Sequence, residues 1–116
     1  MSIKTERIAN TLIKEISYIL ATEVKNQDIS FVTITDVNLS QDLSFAKVYF
    51  TVLEDEKRET TLKALNSAAG FIRHELRDRV DIRQIPELKF VFDESIEYSE
   101  KIEDLIEKIH ENEETN

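Results

Sequence analysis

The chain has 116 residues, with 15 Lys and Arg against 24 Asp and Glu, one Gly, one Pro, no Cys and a formal charge of -9. That length suits a single domain, and a hydrophobic content of 41% supplies enough apolar material for a core. The missing cysteines exclude a disulfide scaffold, a thiolate zinc site and a thiol nucleophile, while the absence of any apolar run near the roughly 18 residues of a membrane span predicts a soluble, cytoplasmic protein.

In chain order, Ile8, Leu12, Ile13, Ile16, Ile19, Leu20 and Val24 recur at three- and four-residue spacings, which predicts an amphipathic helix over residues 3–24. Asn26-Gln27-Asp28 is a turn signal, and residues 31–39 alternate as a first strand. The alternation changes phase between Ile34 and Val37, which marks either a bulge or the strand's end. After the polar connection Ser40-Gln41-Asp42-Leu43, residues 44–53 alternate Ala46, Val48, Phe50 and Val52 against Phe45, Lys47, Tyr49 and Thr51, a hairpin partner. The run 54–59 opens a second helix with acidic side chains suited to its amino end. Gly70, the sole glycine, stands between Leu62, Leu65, Ala69 and Ile72, Leu76, Val80, and predicts a helix-kink-helix whose second limb ends near Asp81. Pro86 fits the entry of a third strand through Leu88, Phe90 and Phe92. The order helix, strand, strand, helix, helix, strand is an α+β sandwich, a three-stranded sheet with helices on one face. Ile102, Leu105, Ile106 and Ile109 then predict an amphipathic terminal helix, with Ser99 as its cap and Glu111 to Asn116 frayed.

The charge is unevenly placed. Residues 93–116 hold ten acidic residues against Lys101 and Lys108, while residues 57–89 hold eight basic and five acidic side chains, a local +3. One glycine cannot build a phosphate-cradling loop. His74 with Asp78, four residues on, and His110 near Glu107, Glu111 and Glu114 read as solvated faces and not as metal or base sites, and no Ser has an adjacent His. Neither an enzyme nor a cofactor is expected. Phe50, Phe90 and Phe92 read as core, whereas Phe45 and Tyr49 lie on the opposite strand face and are open to a stacking role.

A helix-kink-helix between strands of a three-stranded sheet, with the cationic segment on those helices, is the layout of a bacterial-type KH domain. Three segments sharpen the likeness: residues 37–49 (VNLSQDLSFAKVY), 68–76 (AAGFIRHEL) and 83–96 (RQIPELKFVFDESI). Together they resemble the ribosome-binding factor A family, in the same order and at the same spacing, from Ile8 to about Ile109. The resemblance implies a KH-like RNA-binding domain over residues 1–97, followed by an acidic amphipathic segment over 98–116. It also implies a non-catalytic assembly factor that binds the free small (30S) ribosomal subunit, assists late maturation of 16S rRNA including its 5′ end, and matters most in the cold; a monomer is expected. Where RNA-clamping KH domains carry Gly-x-x-Gly at the helix turn, this chain reads Ser67-Ala68-Ala69-Gly70, with the kink at Ala68, Ala69 and Gly70, so RNA contact is expected from side chains instead.

On that limb Arg73 and Arg77 are four apart and share a helix face, where they can pair with phosphate oxygens. Arg79, Arg83 and Lys89 prolong the cationic stripe, and Lys4 and Arg7 on the first helix are weaker candidates. The rival reading is a protein-protein module that engages a partner through its amphipathic helices, with the basic stripe paired locally to Asp78 or Asp81. Salt dependence separates the two, because phosphate contacts weaken steeply with ionic strength.

Overall fold

A computed structural model describes residues 3–29 and 31–95. The first helix, α1, runs Ile3–Thr22 and buries Ala9, Leu12, Ile16, Ile19 and Leu20, the apolar stripe that its spacing predicts. Its last turn closes with the Glu23 and Val24 amides donating to the Ile19 carbonyl. The turn that follows is held by Asn26, whose Oδ1 accepts from the Asp28 amide at 2.9 Å. Thr61, the one buried polar residue among those described, donates its hydroxyl to the Asp28 carbonyl at 2.9 Å and ties this turn to the second helix.

The strands β1 (Val32–Leu39) and β2 (Phe45–Val52) pair antiparallel, and β3 (Glu87–Phe92) adds parallel to β2, giving the sheet order β1-β2-β3. The register puts Val37 opposite Val48 and Val48 opposite Phe90, so the inward residues form one apolar face. Phe50 is fully buried and meets Phe92 edge to face at 5.7 Å; truncating such a ring to alanine costs about 3–5 kcal/mol. The phase change in β1 is a bulge, since the register shifts between Ile34 and Asp36. Thr35, the extra residue, donates its hydroxyl to Asp93 Oδ2 at 2.6 Å. Burial of Asp93 works against its charge, but hydrogen bonds from Ser95 and Thr35 outweigh it and the carboxyl titrates below its usual range.

The β1–β2 connection is organised by Asp42. Its Oδ1 accepts from the Ser44 hydroxyl at 2.7 Å, the Ser40 hydroxyl at 2.8 Å and the Ser44 amide at 3.1 Å, which lowers its pKa to about 2. Leu43, with φ 62, takes the left-handed conformation that the tight return needs.

A 3-10 turn, Asp55–Lys57, leads into α2, Arg58–Leu76. Here the expected pair of helices is corrected: residues 58–76 form one helical element of 19 residues that spans Ala68, Ala69 and Gly70, and the element order is helix, strand, strand, helix, strand. The reason is visible in the spacing. Leu62, Leu65, Ala69, Ile72 and Leu76 recur at 3, 4, 3 and 4 residues, an unbroken helical stripe across the glycine. Gly70 keeps a negative φ and sits in the helix interior, where glycine costs about 1 kcal/mol relative to alanine. α2 ends at Leu76, short of Asp81, and a turn follows in which the Arg77, Asp78 and Arg79 amides bond three residues back and the Val80 amide four. The terminal helix with its Ser99 cap lies outside the described residues.

α1 packs on β1 and α2 on β3, and the two helices touch each other. Asn66 joins α2 to β3: its Oδ1 accepts from the Phe90 amide at 3.0 Å and its Nδ2 reaches the Phe90 carbonyl at 3.5 Å. The opposite sheet face carries Phe45 and Tyr49, both half-buried, with Lys47 paired in register with Lys89.

Candidate nucleic-acid interface

The cationic segment divides into three settings. Arg73, half-buried on α2, donates from Nε and Nη2 to the Ile85 carbonyl at 3.2 and 2.9 Å. One guanidinium thus anchors the loop between α2 and β3 where Ile85 and Pro86 are buried. This anchoring shapes a cleft of about 370 Å³ lined by Arg73, Arg77, Ile82, Arg83, Gln84 and Ile85. Arg77 and Arg83 are exposed, and neither has a carboxylate partner among the described residues. Two side chains six positions apart in sequence therefore face one concave surface because Arg73 folds the loop back onto the helix.

Arg79 lies in a different place. Its guanidinium stands 3.4 Å from Glu23 and 3.8 Å from Glu15, and stacks over Tyr18 at 4.7 Å from the ring centre. All three partners belong to α1 or its end, so Arg79 fastens α2's exit to the first helix instead of extending the cleft. Lys89 is exposed on the outer sheet face beside Lys47, and Lys4 and Arg7 are exposed near the start of α1. None of these lines the cleft. Arg58, another cation of the segment, stacks over Phe92 at 3.9 Å and pairs with Asp55 at 3.3 Å.

The structure thus brings together Arg73, Arg77 and Arg83 of the predicted set and separates Arg79, Lys89, Lys4 and Arg7 from them. Reasoning from sequence missed Ile82, Gln84 and Ile85, which line the cleft, and Lys47, whose outward position in the β2 alternation was the signal for it. Chemically, the cleft offers two exposed guanidinium forks beside a wall that Arg73 anchors. Such forks suit phosphate oxygens, which accept bidentate, charge-assisted hydrogen bonds, and they position a nucleic acid without reading its bases.

Comparison with known proteins gives the chain its relatives. The family model described as ribosome-binding factor A matches residues 4–106. A protein of Staphylococcus epidermidis named ribosome-binding factor A is 49% identical over 112 residues, covering 96% of this chain and 97% of that protein. The crystal structure of ribosome-binding factor A from Thermus thermophilus superposes with a TM-score of 0.65 at 29% identity, over 74% of this chain and 92% of that one. A Thermus thermophilus homology model fitted into a cryo-EM map of a complex between the 30S subunit and ribosome-binding factor A matches with a TM-score of 0.60 at 25% identity, over 82% of this chain and 97% of that one.

Proposed function

Because the chain belongs to the ribosome-binding factor A family, we propose that it binds the free small ribosomal subunit and assists late maturation of 16S rRNA, its 5′ end included, by holding an RNA conformation without catalytic turnover. Residues 1–97 act as a KH-like RNA-binding unit in this reading, with the acidic segment 98–116 appended to it. The protein works as a cytoplasmic monomer whose contribution is greatest in the cold. Family membership and the complex described for the Thermus relative support ribosomal binding.

The observation that carries the site is the cleft in which Arg77 and Arg83 face solvent without a carboxylate partner among the described residues, in a chain of formal charge -9. A protein so acidic gains nothing for solubility from two arginines that stand in a concavity unpaired among the described residues, whereas an rRNA phosphodiester gains two forks of donors. Arg73 is a positioning residue, because it holds the wall on which Arg83 stands. Lys89, Lys4 and Arg7 are peripheral in this scheme and Arg79 is structural.

The test is Arg77→Glu combined with Arg83→Glu, read by co-sedimentation with purified small subunits across a salt series. Both residues are exposed, so the thermal midpoint holds. Binding is lost at moderate salt, and removing two phosphate contacts flattens the logarithmic salt slope by about 2. Unchanged affinity and slope in the folded variant would discard this surface.

A further inference from the structure

At the end of the sheet where β1 begins and β2 finishes, two large apolar side chains stand in solvent: Phe31 is 78% exposed and Leu53 74%. They adjoin the Val32 and Val52 pair, so the antiparallel register carries them to one rim from opposite strands. Scattered exposed apolar residues are ordinary, but Phe31 also has φ 56, in the left-handed region that a bulky aromatic residue occupies only at a cost. The ring gains almost no burial in return, and nothing among the described residues covers it. The rim is also ringed by carboxylates. Asp28 stands just before Phe31, and Glu54, Asp55, Glu56 and Glu59 follow Leu53; all are exposed. Lys57 and Arg58, the cations of that stretch, pair with Glu54 at 3.6 Å and Asp55 at 3.3 Å. Asp28, Glu56 and Glu59 have no ion pair among the described residues. Glu59 and Thr60 line both of two shallow depressions, one of about 530 Å³ that holds Asp28 with Lys63 as its cation, the other of about 520 Å³ that holds Glu56, so the acidic surface is continuous.

We propose that this rim docks a basic protein segment, rich in lysine and arginine, whose apolar side chain packs against Phe31 and Leu53 while its cations meet Asp28, Glu56 and Glu59. The proposal rests on the reading that the protein binds the small ribosomal subunit, and it names a protein of that particle as a second point of attachment. An exposed aromatic ring beside a branched aliphatic chain is the kind of anchor that carries binding energy, and a collar of one charge sign steers a partner of the other. The loop that bears Arg83 leads into β3 at Glu87, opposite Phe45 at the start of β2, whereas the rim lies past the end of β2 at Val52. The cleft and the rim are thus at opposite ends of a strand about 25 Å long. One suits phosphate and the other repels it. Charge also decides among the remaining occupants. A second copy applying the same rim would set carboxylate against carboxylate, and the acidic segment 98–116 of this chain is repelled in the same way.

The experiment uses the full chain and purified small subunits. Phe31→Asn and Leu53→Ser are combined in one protein, and thermal midpoint is measured beside co-sedimentation. Asparagine tolerates the left-handed backbone and both side chains are mostly exposed, so the midpoint holds or rises. Affinity falls by about tenfold or more. Unchanged affinity overturns the proposal, as does a lowered midpoint, which would make the two side chains part of the fold. Asp28→Lys with Glu56→Lys tells protein from RNA: against a basic segment the reversal weakens binding, whereas tighter or equal binding, the response of a rim that faces phosphate or nothing, overturns the proposal. p-Benzoylphenylalanine placed at position 31 then reports the occupant by photo-crosslinking. A cross-link to a protein of the small subunit is expected; one to 16S rRNA, to a second copy or within the chain, or none at all, overturns the assignment. The Arg77→Glu, Arg83→Glu protein run alongside keeps the two sites apart. If it alone loses binding, the rim is wrong and the cleft stands; if the rim variants alone lose binding, the cleft is wrong and the rim stands. Wild type that fails to sediment with small subunits removes the proposed function and the rim together.

Discussion

Arg77 and Arg79 are two residues apart at the end of α2, and they do opposite things. At the seam between α1 and α2, Arg79 is consumed by Glu15, Glu23 and Tyr18, three side chains of another element. In the cleft between α2 and the loop before β3, Arg77 and Arg83 face solvent with no such partner among the described residues. The difference teaches that a run of positive charge in sequence is not a surface. Whether a guanidinium holds the molecule together or reaches beyond it depends on which element is packed against its own. Arg73 stands between the two cases, since it bonds inward to Ile85 and by doing so sets the shape of the cleft.

The comparison can be broken most forcefully at the cleft. Reversing Arg77 and Arg83 together is expected to weaken small-subunit binding by about 100-fold at moderate salt, with no change in midpoint; a loss of stability instead would make the cleft a second seam. Replacing Arg73 by Met removes two hydrogen bonds to a carbonyl in a buried stretch of loop. The expected cost is about 1–2 kcal/mol of stability in denaturant titration, accompanied by about tenfold weaker binding as the loop loosens. Lysine at that position restores neither, because it cannot place two donors on one carbonyl in the same plane. Changing Arg79 to Ala should cost about 1 kcal/mol or less, given that its ion pairs are partly exposed and screened, and should leave small-subunit binding unaltered. Binding loss without destabilisation in that variant would erase the distinction between seam and cleft.

The smallest effect is one of pH. The Asp42 carboxyl has its pKa lowered from 3.8 to about 2 in the folded chain, so its hydrogen bonds contribute fully above the unfolded value. They are lost as pH falls through about 4 toward 2. Wild type should lose slightly more stability than Asp42→Ala over that window, as followed by thermal midpoint against pH. Identical pH profiles would show that the turn stands without the carboxylate.

Much of this was legible beforehand. Each strand announced itself by alternation and was found within a residue or two of its expected bounds, because burial on one sheet face is a property of local spacing. The glycine at position 70 suggests two separate helices, whereas the 3, 4, 3, 4 spacing that runs through it specifies the single helical element found; periodicity reports tertiary packing, which overrides a propensity of about 1 kcal/mol. The phase change in β1 could not be resolved from sequence, since the partner that accepts from Thr35 is Asp93, 58 residues away. The same holds for the site. The shared face of Arg73 and Arg77 follows from helical spacing, but the commitment of Arg79 to Glu23, 56 residues distant, and of Arg73 to the Ile85 carbonyl does not.

Asn66 has one more consequence. By occupying the outward amide and carbonyl of Phe90, it removes from the sheet's last strand the pair of groups on which a further strand would be templated. Together with the exposed charges of Glu87 and Lys89 on β3, this amide side chain discourages a second copy from pairing along the margin.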